Sequence, residues 1–265
     1  MMTELAWTGL EVAVGYVVCV WILSLMIRRV AIIDAFWGPG FILIAAVCSV
    51  ATGLANGLSR ESILLWLVAI WGARLGTHLG IRVCRERHED RRYAAMRDKW
   101  QPHWWLKSLA IVFLLQGFIM WFVALPVILA FDLSTVDRSI SWLIAGAGLW
   151  AVGVFFEAVG DWQLATFRAK PENRMRVLDS GLWALTRHPN YFGDFAVWWG
   201  LWLVSFSCGA PWWTIMSPIA MSFFLLKVSG VTLLEKDICD RRPGYSEYLK
   251  TTNAFFPGRK RTGGS

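Results

Sequence analysis

Long apolar segments recur along the chain, and they restrict its fold more than any other feature of the sequence. A hydrocarbon core about 30 Å thick requires roughly 20 consecutive apolar residues in each helix that spans it. We predict an all-α integral membrane protein with seven transmembrane helices, at approximately residues 7–27, 35–55, 62–81, 108–131, 140–160, 191–209 and 212–231.

The overall composition agrees with a membrane protein. Hydrophobic residues make up 56% of the 265 residues and charged residues only 17%, whereas soluble domains contain about 25% charged residues. The first apolar segment lacks the basic leader and small-residue cleavage site of a signal peptide, so we expect it in the mature protein. We predict one membrane domain over residues 1–257 and a disordered tail over 258–265.

The cysteines and histidines show no metal-binding pattern. The five cysteines are scattered, without a C-x-x-C pair and without a histidine at a zinc-ligand spacing. Neither a disulfide framework nor a metal site is therefore predicted.

Lysine and arginine alternate between the two sides of the predicted bundle. Twenty-two of the 26 lie in segments on one side, and only Arg60 and Arg138 lie on the other. The positive-inside rule then puts the N-terminus outside and the C-terminus in the cytoplasm. This topology, together with attraction to anionic membrane lipids, accounts for the net charge of +7 without a nucleic-acid partner.

Eight polar side chains within or next to the predicted spans fall in the cytoplasmic half. Such residues are costly in lipid and usually face a bundle interior or a water-filled cavity. We therefore predict one cavity in the inner half of the bundle, with Glu157 and Lys227 the two members that could instead snorkel to the interface. The residues concerned are Asp34, Arg74, His78, Gln116, Glu157, Asp194, Lys227 and Glu235.

The stretch RHPNYFGD, which begins at Arg187, combines a helix start with an unusual number of polar groups. Pro189 suits the first turn of a helix, whose free N–H groups next to Arg187 favour an anion such as phosphate. Asn190 and Asp194 lie four apart on one face, and Tyr191 can stack on a flat ligand. A helix cap needs only one or two such residues, so we favour a ligand site over a cap alone.

Two polar segments flank the last pair of predicted spans, and both are assigned to the cytoplasm. Residues 161–187 contain five Lys and Arg residues and residues 233–257 contain four, and we expect both segments to cap the mouth of the cavity. Neither a G-x-G-x-x-G nor a G-x-x-x-x-G-K-[ST] sequence occurs. A nucleotide would therefore not be held by a Rossmann or P-loop unit.

The motif and its surroundings resemble a known family. GLWALTRHPNYFGD, with D-x-Q-x3-F-R before it and E-x9-Y-x2-Y and FFP after it, is similar to the steroid 5-alpha-reductase C-terminal family over roughly residues 145–257. DAFWGPGF and WGARLGTHLGIR resemble the N-terminal half of its bacterial members, a group described as a domain of unknown function. The resemblance implies a multi-pass oxidoreductase of a bacterial inner membrane that uses NADPH to reduce a carbon–carbon double bond of a steroid, sterol or related lipid.

The resemblance and the motif together assign residues to the cofactor. The dinucleotide is expected to bind from the cytoplasmic side, against the basic segments and the start of the sixth span. The residues expected to hold NADPH are Arg168, Leu178, Trp183, Arg187, His188, Asn190, Tyr191, Asp194, Arg241 and Tyr248.

Other residues are assigned to the reaction itself. Steroid reductases polarise the substrate carbonyl with an acid on the second span and a tyrosine on the third; here Asp34 falls near the acid, and Trp71 stands roughly where the tyrosine is expected. The candidates for the proton donor are Asp34, His78 and Glu235, and those for the substrate side are Trp37, Trp71, Arg74 and Gln116.

Two other functions stay open. Isoprenylcysteine carboxyl methyltransferases share the shorter R-H-P-x-Y-x-G and bind S-adenosylmethionine, but the match here continues through Asp194, and the several arginines suit a phosphorylated dinucleotide better. The second alternative is a transporter or a non-catalytic lipid-binding protein. Transporters commonly contain inverted repeats, and no internal repeat is visible in this sequence.

Overall fold

A computed structural model describes residues 4–86, 88–132, 138–228, 242 and 244–260. In this part of the chain the secondary structure is helical, without a β-strand. Two π-helical segments, Leu109–Leu114 and Phe224–Val228, and three 3-10 turns, Pro171–Asn173, Gly181–Ala184 and Trp212–Ile215, accompany the α-helices. The α-helices are α1 (Glu4–Ile27), α2 (Ile32–Thr52), α3 (Arg60–Arg85), α4 (Arg91–Lys99), α5 (Trp104–Ser108), α6 (Leu115–Ala130), α7 (Ile140–Arg168), α8 (Pro189–Ser207), α9 (Met216–Phe223) and α10 (Tyr245–Thr251).

Five helical stretches within the described residues are long and apolar enough to cross a membrane. They are α1, α2, α3, α7 and the continuous helix Trp104–Ala130, which includes α5 and α6. This is compatible with a multi-pass membrane protein, but the predicted number of seven spans is not confirmed. The sixth predicted span corresponds to α8, in which tryptophan, glycine and polar residues lower the hydropathy. The seventh, 212–231, begins with a 3-10 turn and extends past the described residues.

The chain divides into two compact units. Unit 1 comprises Met1–Leu143 and Val204–Ser217, and unit 2 comprises Ile144–Leu203 and Pro218–Ser265. The boundaries fall inside α7, α8 and α9. This division is finer than the single membrane domain predicted from the sequence.

In unit 1, α2 and α3 cross at glycines. A Cβ added to Gly72 would lie 2.6 Å from the carbonyl oxygen of Gly38. One turn further along α3, a Cβ on Gly76 would lie 2.8 Å from the ring of Pro39. Only glycine lets two helix backbones approach so closely, and small residues serve the same purpose at many contacts between membrane helices.

The start of α2 is fastened to the residues that lead into α4. The Glu89 carboxylate accepts hydrogen bonds of 2.8 and 3.1 Å from the N–H groups of Val30 and Ala31, and it pairs with Arg97 at 3.1 Å. Since α2 has no capping side chain of its own, Glu89 satisfies N–H groups that a helix start leaves without partners. In return, Arg29 donates to three carbonyl oxygens at and just after the end of α3, over 2.7 to 3.0 Å.

The two arginines predicted on the outer side close the C-terminal end of α8. Arg60 donates to the carbonyl oxygen of Ser207 at 2.9 Å, and Arg138 donates to those of Phe206 and Ala210 at 2.6 and 2.7 Å. The Arg138 guanidinium also lies 3.6 Å from the centre of the Phe206 ring. Cations are favourable at this end of a helix, where the last carbonyl groups lack helical partners.

In unit 2, α7 and α8 also cross at glycines. A Cβ on either Gly153 or Gly193 would lie 2.6 Å from the carbonyl oxygen of the other. Two turns further along α7, a Cβ on Gly160 would lie 3.2 Å from the ring of Pro189. The start of α8, which carries the RHPNYFGD stretch, therefore lies directly against α7.

The C-terminal segment of unit 2 packs along the residues that precede α8. Residues 185–187 and 253–258 are joined by backbone and hydroxyl hydrogen bonds of 2.8 to 3.0 Å. Gly258 and Lys260, both assigned to the tail from the sequence, contribute a backbone hydrogen bond of 3.0 Å and an ion pair of 3.1 Å with Asp179. The segment thereby anchors α10 beside the motif.

We expect Gly72→Ala to destabilise the protein, because the added methyl group would meet the Gly38 carbonyl oxygen at 2.6 Å. Overpacking of this kind typically costs about 1–3 kcal/mol. The matched control is Gly80→Ala in the same helix, where nothing lies within 4 Å of the added Cβ and alanine is the better helix former. Thermal unfolding in detergent, followed by circular dichroism, measures both variants; equal melting temperatures would contradict the close crossing.

Candidate functional site

Asp34 lies in the first turn of α2 and accepts hydrogen bonds at both of its carboxylate oxygens. The Tyr93 hydroxyl donates to Oδ1 at 2.7 Å, and the Arg92 guanidinium donates to Oδ2 at 2.8 Å. Both donors belong to α4, which Glu89 holds beside the start of α2. Asp34 therefore has a phenol within hydrogen-bond distance, although the sequence placed Trp71 where steroid reductases have their tyrosine.

Tyr93 is at the centre of this cluster, and the sequence analysis missed it. The residue is only 5% exposed and belongs to a core cluster with Ile33 and Phe113. Burial, followed by the negative charge of Asp34, raises the pKa of the Tyr93 phenol above its usual range, so the group keeps its proton. A signal was present, since Tyr93 is the one Phe, Trp or Tyr residue in the polar stretch 82–99.

Gln116 and Trp37 extend the cluster into the membrane helices. The Trp37 indole N–H donates to the amide oxygen of Gln116, and the Gln116 amide N–H donates to the phenol oxygen of Tyr93 at 3.3 Å. Since an indole N–H can only donate, Trp37 determines which end of the amide faces Tyr93. Each donor in this chain of hydrogen bonds thus points towards Asp34.

Arg92 connects the cluster to a second carboxylate. Its guanidinium lies 2.8 Å from Asp34 and 3.1 Å from Asp90. Burial raises the pKa of Asp90, but the hydrogen bonds from Arg92 and its positive charge outweigh burial, and the pKa of Asp90 lies below its usual range. The stabilisation from this pair is therefore present above the ordinary carboxyl pKa and is lost as the pH falls through the lowered one.

The other predicted residues of unit 1 lie on α3. Trp71 is 1% exposed and packs against Phe41, with the ring centres 5.7 Å apart. Arg74 and His78 are half-buried and four residues apart on one face of α3. The structure thus brings Trp37 and Gln116 to Asp34, whereas Trp71 is a core residue.

The start of α8 in unit 2 presents the motif side chains to α7 and to one another. The Asn190 amide donates to the Asp161 carboxylate on α7 at 3.3 Å, and its oxygen accepts from the Tyr191 N–H at 3.1 Å. His188 is buried and stacks on Tyr191, with the ring centres 5.7 Å apart. Asp194 lies one turn further along α8 and is half-buried.

Arg187, predicted to favour a bound anion, is engaged in capping α10. Its guanidinium donates to the carbonyl oxygens of Leu249 and Thr252 at 3.0 and 2.8 Å. These carbonyl groups lie at the C-terminal end of α10, where helical partners are lacking. Arg187 therefore holds the last described helix against the motif.

An open groove of about 340 Å³ lies between residues 175–179 and α10. The Tyr248 hydroxyl donates to the carbonyl oxygen of Trp183. The indole N–H of Trp183 donates to the carbonyl oxygen of Gly160 at 3.1 Å. Leu178 is buried in the same part of the unit. The groove is lined by Met175, Arg176, Val177, Asp179, Gly244, Glu247, Tyr248 and Thr251.

Exposed basic side chains precede the groove along the chain, and one of them, Arg176, lines it. The two carboxylates of the groove have lysine partners, Asp179 with Lys260 at 3.1 Å and Glu247 with Lys250 at 4.0 Å. The predicted residues Glu235 and Arg241 lie outside the described residues. The exposed basic residues before the groove and on it are Arg168, Lys170, Arg174 and Arg176.

The predicted polar residues are divided between the two units. Asp34, His78 and Gln116 belong to unit 1, and Asn190 and Asp194 belong to unit 2. The single cavity expected to gather them stays a prediction. In the described parts of the chain, no group of three His, Cys, Asp or Glu side chains is arranged to hold a metal ion.

Comparison with known proteins places the chain in a family. Residues 20–252 match DUF1295, a family of proteins of unknown function, and the chain belongs to that family. No curated protein and no solved structure matches it. This membership agrees with the resemblance to a bacterial group described as a domain of unknown function, while the relation to steroid 5-alpha-reductases depends on the motif residues alone.

We expect Arg187→Ala to loosen the C-terminal segment, because the carbonyl groups of Leu249 and Thr252 lose their donor. Hydrogen–deuterium exchange of residues 245–258 should then accelerate by about tenfold, corresponding to the loss of roughly 1.4 kcal/mol of local stability. Arg174→Ala, which removes an exposed arginine from the preceding segment, is the matched control. Unchanged exchange in the Arg187 variant would show that the cap does not hold α10.

Proposed function

We propose that this protein is a membrane-embedded, NADPH-dependent reductase that adds hydride to a carbon–carbon double bond conjugated to a carbonyl group of a steroid or related lipid. The observation that carries the proposal is the hydrogen bond of 2.7 Å from the Tyr93 hydroxyl to Asp34. By the resemblance, an acid and a phenol polarise the substrate carbonyl in steroid 5-alpha-reductases. Here α2 supplies the acid, and α4 supplies a phenol.

The chemistry of hydride addition explains why a protonated phenol is useful. Hydride is a nucleophile, and it adds readily to a double bond from which a conjugated carbonyl group withdraws electrons. A hydrogen bond to the carbonyl oxygen stabilises the negative charge that develops there during addition. Because its pKa is raised, Tyr93 keeps the proton needed for that hydrogen bond. Tyr93 passes its proton to that oxygen, and the enol so formed becomes the ketone when the adjacent carbon gains a proton and the oxygen releases one. Each turnover therefore consumes one hydride and one proton in total.

Asp34 and Arg92 position the phenol and connect it to water. The Asp34 side chain retains 27% of its exposure, so its carboxyl group can exchange protons with solvent and return a proton to Tyr93 after turnover. Arg92 holds the second oxygen of the same carboxylate, which leaves Oδ1 directed at the phenol. The pair thereby combines a buried donor with an accessible source of protons.

Residues of unit 2 have the chemistry that a phosphorylated dinucleotide requires. When bound, NADPH supplies the hydride. The exposed guanidinium groups of Arg168 and Arg176 suit its phosphates, and the ring of Tyr248, beside Met175 and Val177 in the groove, suits a planar group. Four basic residues in this region favour NADPH over S-adenosylmethionine, which carries no phosphate.

The proposed orientation keeps the N-terminus outside and the C-terminus in the cytoplasm of a bacterial inner membrane. Five helical stretches are long enough to span, and 22 of the 26 basic residues fall on the inner side. The sixth and seventh predicted spans would cross the bilayer in opposite directions and return the chain to the side from which it started. The C-terminus is therefore on the same side whether both spans cross or neither does.

We expect Tyr93→Phe to slow reduction strongly but to leave NADPH binding intact. Removal of a catalytic proton donor typically lowers kcat by about 10²–10⁴-fold. The measurement is loss of NADPH absorbance by purified protein in detergent with a panel of 3-oxo steroids and long-chain enones.

Arg168→Ala should raise the dissociation constant of NADPH by about tenfold, as expected for loss of a charge-assisted contact.

Tyr16→Phe is the matched control for the phenol. The Tyr16 hydroxyl donates to the Phe36 carbonyl oxygen in the same unit, outside the Asp34 cluster, so this variant should retain its turnover. Wild-type turnover in Tyr93→Phe would refute the role of the pair. Absence of turnover by the unmodified protein, combined with a rise in melting temperature on adding S-adenosylmethionine but not NADPH, would support the methyltransferase alternative instead.

A further inference from the structure

A π-helical segment immediately precedes Gln116. The helix over Trp104–Ala130 contains this segment at Leu109–Leu114, and Gln116 is the second residue of α6. A π turn holds about one residue more than an α turn, so it rotates all later side chains around the helix axis relative to an unbroken α-helix. In this rotated register Gly117 packs on Val17 of α1, and the neighbouring Gln116 side chain meets Trp37 and Tyr93.

Trp37 gives the Gln116 amide a single useful orientation. The indole N–H has no acceptor capacity, so the amide oxygen must face it and the amide N–H groups must face away. One of these N–H groups lies 3.3 Å from the phenol oxygen of Tyr93. The phenol proton is then left for Asp34, at 2.7 Å, or for a substrate.

The Gln116 N–H is directed at the atom that becomes negative during the reaction. As Tyr93 gives its hydrogen to a carbonyl oxygen, negative charge grows on the phenol oxygen. A fixed N–H donor stabilises such charge without reorganisation, and successive hydrogen bonds polarise one another. The amide of Gln116 also lowers the pKa of Tyr93, opposing the effects of burial and Asp34.

We propose that Gln116 is a positioning residue of the reductase reaction, held by Trp37 so that its amide N–H supports the phenol oxygen of Tyr93 during proton donation. The inference rests on the proposed function, because it assigns a role within the same reaction. It means that the reaction needs a correctly oriented amide on α6 in addition to the acid–phenol pair.

The first test replaces the amide with an apolar group of similar size. Gln116→Leu should lower kcat on the order of tenfold to a hundredfold, somewhat less than loss of a donor that contacts the substrate directly. The dissociation constant of NADPH should stay within about twofold, since the substitution removes no charge and no cofactor contact. Phe118→Leu on the exposed side of the same helix is the matched control and should leave kcat unchanged.

A double-mutant cycle separates this role from general packing. Trp37→Phe keeps an aromatic ring but removes the indole N–H, so the amide is free to turn and kcat should fall severalfold. In the Trp37→Phe/Gln116→Leu double variant, kcat should be no lower than in Gln116→Leu alone, because both changes remove the same directed N–H. Multiplicative losses would mean that the two residues act independently and would overturn the proposal.

Gln116→Glu should recover a hydrogen-bond donor to Tyr93 at low pH. Its carboxylate can accept from Trp37 but has no hydrogen for Tyr93, whereas the protonated acid offers an O–H donor. The turnover of this variant, relative to that of the unmodified protein, should therefore increase as the pH falls. The increase should be about tenfold per pH unit while the introduced carboxyl group is mostly ionised, because its protonated fraction grows by that factor. A ratio that does not change with pH would contradict a donor role.

A structural readout accompanies the kinetics. The chain contains five tyrosines, so 3-fluorotyrosine labelling gives few ¹⁹F resonances, and the Tyr93 signal is assigned by its loss in Tyr93→Phe. That signal should shift in both Gln116→Leu and Trp37→Phe, and an unchanged signal would overturn the hydrogen-bonded chain. Should Gln116→Leu fail to fold, Trp37→Phe and Gln116→Glu decide the question.

The outcomes distinguish failure of the proposed function from failure of the role of Gln116. If the unmodified protein reduces none of the conjugated lipids, the proposed function fails and this inference fails with it. If the unmodified protein is active while Gln116→Leu and Trp37→Phe keep full kcat, only the role of Gln116 is refuted and the acid–phenol pair stands.

Discussion

Polar groups that lie beside hydrocarbon cannot hydrogen-bond to lipid, so they need partners in the protein or in water. This requirement explains why Glu89 binds the N–H groups of Val30 and Ala31, just before α2, and why Arg29 binds carbonyl groups at the end of α3. It also explains the surroundings of Asp34, because a carboxylate in the first turn of an apolar helix needs donors. The donors come from α4, and they include the phenol on which the proposed reaction depends.

The two glycine crossings give that arrangement a fixed framework. Gly38 lies one turn beyond Asp34, so the tight contact of α2 with α3 restricts how far the backbone that carries the carboxylate can move. In unit 2, the contact between Gly153 and Gly193 similarly holds the motif helix against α7. In both units, residues without side chains determine where the functional side chains project.

Local properties of the chain were predictable, and partnerships between distant segments were not. Hydropathy predicted the long helices, and the geometry of proline predicted the start of α8 at Pro189. Tyr93 was not predicted, because its contact with Asp34 depends on how α4 packs against α2, and no short-range sequence pattern encodes that packing. The same limit applies to Arg187, since a basic residue beside a proline suits an anion or a helix end equally well, and the fold supplies the helix end.

The cluster around Asp34 also has consequences for how the protein is made. Its members come from α2, α4 and α6, which leave the ribosome in that order. Asp34 therefore reaches the membrane before either donor on α4 is synthesised, and Gln116 arrives last. Until then the carboxylate has to stay hydrated at the membrane surface. Completion of the Asp34 cluster is thus a late event of biogenesis, and a nascent chain released before α6 would lack the amide that Gln116 contributes.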